Sequence, residues 1–118
     1  MSQRLRDWTQ GGEGIVYQRC PTCDAVWYIH RDFCPRCGKT GPQTLQASGR
    51  GTVHAMSLVH RAPTEALKAL TPYLIVLVDA EEGFRMMAHG ERSLSIGECA
   101  SARFVRFGEA MVPFFERT

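Results

Sequence analysis

Cys20-Pro21-Thr22-Cys23, then ten intervening residues, then Cys34-Pro35-Arg36-Cys37-Gly38: this stretch decides how the first part of the chain folds. A Cys-x-x-Cys turn tightens the backbone until two thiolates converge, and two such knuckles complete a tetrahedron of sulfurs about 2.3 Å from one metal ion. Gly38 follows the second knuckle and takes a positive φ readily, and Asp24 after the first tolerates one better than most residues. Four thiolates around Zn²⁺ carry a formal charge of minus two, which Arg19, Arg31, Arg36 and Lys39, close in sequence, can offset. A shell filled by four sulfurs has no open position for water or substrate, so one structural, non-catalytic zinc per chain is predicted. Metal binding and folding of the ribbon should then be one event, because a segment of about 25 residues cannot bury enough core unaided. Disulfide, redox and iron chemistry are the competing readings. Four of the five cysteines standing in two pairs favours metal in a reducing compartment.

Around the knuckles lie short β-like pieces at 15–18 and 26–29, so residues 15–46 read as a zinc ribbon. Before them, residues 1–10 suggest a short helix with Leu5 and Trp8 on one side, ended by Gly11, Gly12 and Gly14, within an N-terminal arm at 1–14. Residues 38–51 are rich in Gly, Thr, Ser and Gln and read as a connector, with a domain boundary near Gln46. Five strand candidates follow, at 51–60, 73–80, 84–89, 98–107 and 111–116, with no long helix between them. Glu81, Glu82 and Gly83 form a short turn signal that predicts an antiparallel hairpin of the second and third. The apolar run 73–78 suits a central barrel strand, and 61–72 is a longer excursion with one or two helical turns at 65–70. The expected architecture is mainly β: a short N-terminal helix, a four-cysteine zinc ribbon, and a five-stranded OB-like barrel over 47–118.

Composition narrows the function classes. The 118 residues leave little room for a large enzyme with its own deep cleft, and 44% hydrophobic with 22% charged residues is a globular balance. Fourteen Lys and Arg against twelve Asp and Glu, without a run of like charge, names no polyanionic partner. The first residues show no secretory pattern, and the longest apolar run falls far short of the roughly 20 residues a membrane helix needs. A cytoplasmic protein with no membrane partner is expected.

Other reactive residues form no catalytic spacing. His30, His54, His60 and His89 stand in no catalytic spacing, with His54 and His60 alternating with Met56 and Leu58 on one face of the first predicted barrel strand. Cys99 has no basic neighbour before Arg103 and reads as a small buried or half-buried filler. No catalytic residue is assigned. A single-stranded nucleic-acid-binding ribbon and barrel is the alternative, but it calls for a basic groove with aromatic platforms, and nucleic acid is not the expected partner. Trp8, Trp27, Tyr28 and Phe33 are more aromatics than so small a ribbon can bury, and surface aromatics often anchor protein partners; a miniature ribbon core could account for one or two of them.

Gln18-Arg-Cys-Pro-Thr-Cys23, Cys34-Pro-Arg-Cys-Gly38, Ser48-Gly-Arg-Gly-Thr-Val53, Val59-His-Arg-Ala-Pro63, Pro72-Tyr73 and Val112-Pro-Phe114, in that order, carry a resemblance through nearly the whole chain. They resemble a family of short zinc-ribbon plus OB-fold proteins that accompany acyl-CoA enzymes, chiefly thiolases, long labelled a domain of unknown function. The resemblance implies a non-catalytic accessory subunit in a hetero-oligomer with a thiolase-like enzyme, the catalytic groups belonging to the larger subunit and a CoA thioester lying near the interface. A two-component thiolase of aromatic acyl-CoA degradation, such as benzoylsuccinyl-CoA thiolase, is a candidate. Within the VHRAP segment Arg61 opens the longest barrel loop. Its planar, permanently charged fork suits a partner carboxylate or a CoA phosphate.

Overall fold

In the computed structural model, which describes residues 6–12, 14–61 and 64–118, the chain is mainly β. After a 3-10 turn at Trp8–Gln10 come β1 (Val16–Arg19), β2 (Val26–Tyr28), β3 (Gln43–Gln46), β4 (Arg50–Val59), α1 (Glu65–Lys68), β5 (Tyr73–Ala80), β6 (Arg85–Gly90), β7 (Cys99–Phe107) and β8 (Ala110–Arg117). The first three strands form an antiparallel sheet in the order β2-β1-β3. The other five close a barrel in the order β4-β5-β6-β8-β7. Among the barrel pairings of the described residues only β6–β8 is parallel, through His89 opposite Phe114 and Gly90 opposite Phe115, which gives the closed Greek-key pattern of an OB fold.

Alternation sets the barrel interior. Leu74, Val76 and Val78 on β5 point inward with Met86 and Ala88 on β6, Val53 on β4, Ala100 on β7 and Phe115 on β8. The β5–β6 hairpin turns through Glu81, Glu82 and Gly83 as expected, with Gly83 at φ 106° and Ala80 N–H donating to Phe84 O at 2.8 Å. Leu94, 2% exposed, plugs the barrel from the β6–β7 loop although it lies in no strand. Gly51 of the SGRGTV motif is fixed by close approach: a Cβ there would stand 2.6 Å from Asp79 O on β5.

Several expectations change. The N-terminal helix is only the 3-10 turn, capped by Asp7 and closed by Gly11 at φ 84°; residues 1–5 lie outside the described residues. Part of the supposed connector is β3, whose Gln43, Thr44, Leu45 and Gln46 pair with Arg19 to Val16 of β1. On β4 the register shifts between Val53 and Ala55, so His54 is an extra residue and the expected common face is broken. His54 reaches Asp79 on the outer surface, whereas Met56 and Leu58 sit opposite the inward Val76 and Leu74. Cys99 is exposed rather than filling space, because the inward position next to it on β7 is taken by Ala100.

The ribbon sits against the barrel through aromatic rings. Tyr17 and Tyr28 stack on Phe84 with centroids 5.1 and 5.4 Å away, and Ile15 joins the barrel core. Of the four aromatics singled out, Trp27 is buried, Trp8 and Tyr28 pack against the core, and Phe33 alone stays exposed. The expectation of several free aromatic anchors therefore gives way to one.

Candidate metal centre

The two knuckles are built alike. Cys20 N–H donates to Ala25 O and Asp24 N–H returns to Cys20 O, both at 2.9 Å. Cys34 N–H donates to Lys39 O at 2.8 Å and Gly38 N–H returns to Cys34 O at 2.9 Å. Each turn closes with a left-handed residue, Asp24 at φ 63° and Gly38 at φ 81°. Arg19 on β1 binds the Asp24 carboxylate and also Gln43 on β3, which fixes the first knuckle to the sheet.

The four sulfurs lie within 4.8 Å of one another, with Cys20 to Cys37 and Cys23 to Cys34 each at 3.6 Å. That is far beyond the ~2.05 Å of a disulfide. It is close to the roughly 3.8 Å edge of a sulfur tetrahedron with zinc at its centre. Cys20 and Cys34 are buried, Cys23 half-buried and Cys37 exposed. Backbone N–H groups of Arg36 and Cys37 donate to Cys34 Sγ at 3.3 and 3.4 Å, which favours its thiolate. Backbone donation from Cys23 holds the Cys20 thiol down at about 6, against its own desolvation. Cys23, despite the Ala25 N–H, is pushed up to about 11 by burial and by the sulfurs beside it. A divalent cation resolves that conflict by holding all four as thiolates, so the donor set, spacing and second-layer N–H groups fit zinc.

Two polar networks around the ribbon escaped the sequence reading. Gln18, 3% exposed, accepts from Trp27 Nε1 at 2.7 Å and Arg31 N–H at 2.6 Å, and donates to Arg31 O at 2.9 Å, tying the segment between the knuckles to β1. Asp7, 8% exposed, accepts from Val16 N–H at 2.9 Å, Thr9 Oγ1 at 2.6 Å and Tyr28 OH at 2.8 Å. Burial, and then this carboxylate, raise the Tyr28 phenol well above its ordinary value. The signal for Gln18 was its place beside the first knuckle; nothing local marked Asp7.

The remaining candidates do not converge. Arg61 is exposed at the start of the β4–β5 loop and has no ion-pair partner among the described residues; Ala62 and Pro63 of its motif lie outside them. His30 lies 3.4 Å from Asp32 and His54 3.4 Å from Asp79, all on the surface, and His60 is exposed. Among the described residues no histidine bonds to Cys99, and no helix is long and apolar enough to cross a membrane.

A closed pair of knuckles presenting four cysteines from a three-stranded sheet, followed by an OB barrel, defines a rubredoxin-like zinc ribbon joined to an OB-fold domain. Residues 8–43 match the family described as "ChsH2, rubredoxin-like zinc ribbon domain", and residues 45–105 match "ChsH2, C-terminal OB-fold domain". The chain belongs to this ChsH2-type family, also called DUF35. It is 39% identical over 73 residues to a DUF35 domain-containing scaffold protein of Methanocaldococcus jannaschii, covering 61% of this chain and 51% of that protein. Against a scaffold protein of the same description from Methanothermobacter thermautotrophicus it is 30% identical over 89 residues, covering 73% and 66%. The chain thus spans about half to two thirds of the length of these relatives. A probable enoyl-CoA hydratase alpha subunit of Thermomonospora curvata is 32% identical over 75 residues, which is 64% of this chain and 23% of that protein. Among solved structures, a chain of the Ltp2-ChsH2(DUF35) aldolase superposes with a TM-score of 0.72 at 27% identity, over 86% of this chain and 83% of that one.

Proposed function

We propose that this chain is a non-catalytic scaffold subunit of an enzyme complex acting on CoA thioesters, with Cys20, Cys23, Cys34 and Cys37 holding one structural zinc. The observation that carries the reading is a closed sulfur tetrad in a ribbon whose Tyr17 and Tyr28 pack onto a complete OB barrel, in an arrangement similar to a chain of an aldolase assembly. Such a centre shapes a surface and leaves no coordination position for substrate. Relatives described as scaffold proteins, and one described as a hydratase subunit, support the same class. The finer reading is a two-component thiolase, with benzoylsuccinyl-CoA thiolase as a candidate. It rests on the motif resemblance, while the names of the similar proteins point to an aldolase or a hydratase. Arg61, exposed and without a carboxylate among the described residues, is the proposed contact to the partner or to a CoA phosphate.

Affinity purification of the tagged chain from its native cells, with the co-purifying proteins identified by mass spectrometry, tests the reading. A thiolase-type subunit in stoichiometric amount supports it in full, and an aldolase or hydratase keeps the scaffold role and corrects the enzyme. Absence of any CoA-dependent enzyme sinks it. In a reconstituted complex, Arg61→Ala should weaken assembly or raise the apparent KM for the CoA thioester with zinc retained. Unchanged assembly and turnover at low and moderate salt removes Arg61 from the proposal.

A further inference from the structure

At one end of the barrel, where β5 begins, β6 ends and the β7–β8 hairpin turns, lies a cavity of about 380 Å³. Its wall is aromatic. The rings of Tyr73, His89 and Phe107 stand 4.0 to 5.4 Å apart between centroids, and Phe114 lines the cavity beside them. These rings come from different strands, so the barrel itself assembles them.

Two features separate this cavity from an ordinary apolar seam. The first is His89, which lines the cavity and whose buried Nδ1 has no hydrogen-bond partner among the described residues, where native structures normally supply one. Burial lowers the pKa of this imidazole, so at neutral pH the ring is uncharged and offers one donor and one acceptor nitrogen. The second is Arg92 and Arg106, both exposed and both lining the cavity. Among the described residues neither has an ion pair, whereas Arg19, Arg50, Arg85, Arg103 and Arg117 each hold a carboxylate. Glu91 also lines the cavity, but its carboxylate accepts from Ser93 Oγ and from Arg117 N–H.

A ligand that satisfies all of this has a planar ring to lie against the aromatics, a ring heteroatom or amino group for His89, and an anionic group for the arginines. We propose that the cavity binds a purine nucleotide, with its base against Phe107 and Tyr73, a base nitrogen bonded to His89, and its phosphates on Arg92 and Arg106. The volume suits a single base rather than a strand. The chain's near balance of 14 basic and 12 acidic residues likewise does not favour a polynucleotide, which needs a continuous basic groove. The inference does not rest on the partner enzyme, because the cavity belongs to this chain alone.

The test titrates ADP into the zinc-loaded, full-length chain by calorimetry and follows the His89 ring protons by NMR. Saturable binding that shifts the His89 resonances is expected. Inorganic pyrophosphate should bind at least about tenfold more weakly than ADP, since base stacking is worth about tenfold on its own. Phe107→Ala and the surface change Arg106→Ala should each weaken ADP binding by about tenfold. His89→Phe, which keeps a stacking ring and removes the nitrogens, should weaken ADP but leave pyrophosphate unaffected. No saturable binding by the folded parent, pyrophosphate binding as tight as ADP, or tighter binding of a deoxythymidine 12-mer would each overturn the proposal. Melting temperatures of the variants keep the Phe107 result interpretable, and Arg106→Ala stands if Phe107→Ala does not fold.

Discussion

In the ribbon the buried cluster is Cys20, Trp27 and Cys34, with Cys23 and Ala25 packed beside it. In the barrel, Val53, Leu74, Val76, Val78, Met86, Leu94 and Phe115 close on one another without a cysteine among them. One region gathers sulfurs at its centre and gains its folding free energy through a cation; the other gains it by removing apolar surface from water, at about 25 cal/mol per Å². They meet where Tyr17 and Tyr28 of the ribbon stack on Phe84 of the barrel. Short metal-stapled modules and self-sufficient cores fail under different insults, so the difference can be probed one region at a time.

The largest effect should come from the metal. Fresh, reduced protein should carry one zinc per chain. Cys20→Ser, Cys37→Ser or a strong chelator should strip it and unfold the ribbon, because structural zinc sites contribute on the order of 10 kcal/mol or more. Hydrogen exchange should then show the β1–β2–β3 amides losing protection while those of β5 keep theirs. Metal content well below one equivalent defeats the zinc assignment. Equal loss of protection in β5 would show that ribbon and barrel are a single cooperative unit and break the comparison.

The converse probe acts on the barrel. Phe115 is 2% exposed and cannot be replaced by a smaller side chain without a cavity, so Phe115→Ala should cost about 3–5 kcal/mol in denaturant unfolding. The zinc content at low denaturant should stay at one per chain. A variant that loses zinc in proportion to its loss of barrel stability would mean that the ribbon needs the barrel to bind metal.

What could be read from the sequence follows the same division. The knuckles were legible because their chemistry is local: the spacing of Cys20 and Cys23, and of Cys34 and Cys37, sets the turn whatever surrounds it. The barrel strands were legible where alternation is strong, as in β5, and its hairpin partner followed from a short Gly-containing turn. β3 was missed because Gln43 to Gln46 carry no apolar rhythm and become a strand only by pairing with β1. The His54 bulge shifts side-chain parity by one, which no periodicity count reveals, and Asp7 accepts from Tyr28, far along the chain. The aromatic cavity brings Tyr73, His89 and Phe107 together only once the barrel closes.

The smallest effect concerns acid, and it separates the regions by mechanism. Glu98 accepts from Arg117 at 2.6 and 3.0 Å and from Ser95 N–H at 2.6 Å, and these contacts hold its carboxyl down at about 2, Arg117 first. A folded-state value below the ordinary 4.5 means that Glu98 stabilises the fold above about pH 4.5, and that this contribution is lost as pH falls toward about 2. Its stabilisation should be modest because the pair is open to solvent, yet Ser95 and Glu98 lie in the same loop that seats Leu94 in the barrel. The ribbon responds to acid by another route, protonation of thiolates in competition with zinc. Glu98→Gln should therefore lower barrel stability slightly at pH 7. The gap between variant and parent should narrow through the range below about pH 4.5, while the pH at which a chromogenic dye captures released zinc stays the same. A zinc-release curve that moves with Glu98→Gln would mean that the loop and the metal centre are coupled across the Phe84 seam, and a stability gap that stays constant as the pH is lowered from neutral to about 3 would mean that Arg117 does not hold Glu98 ionised.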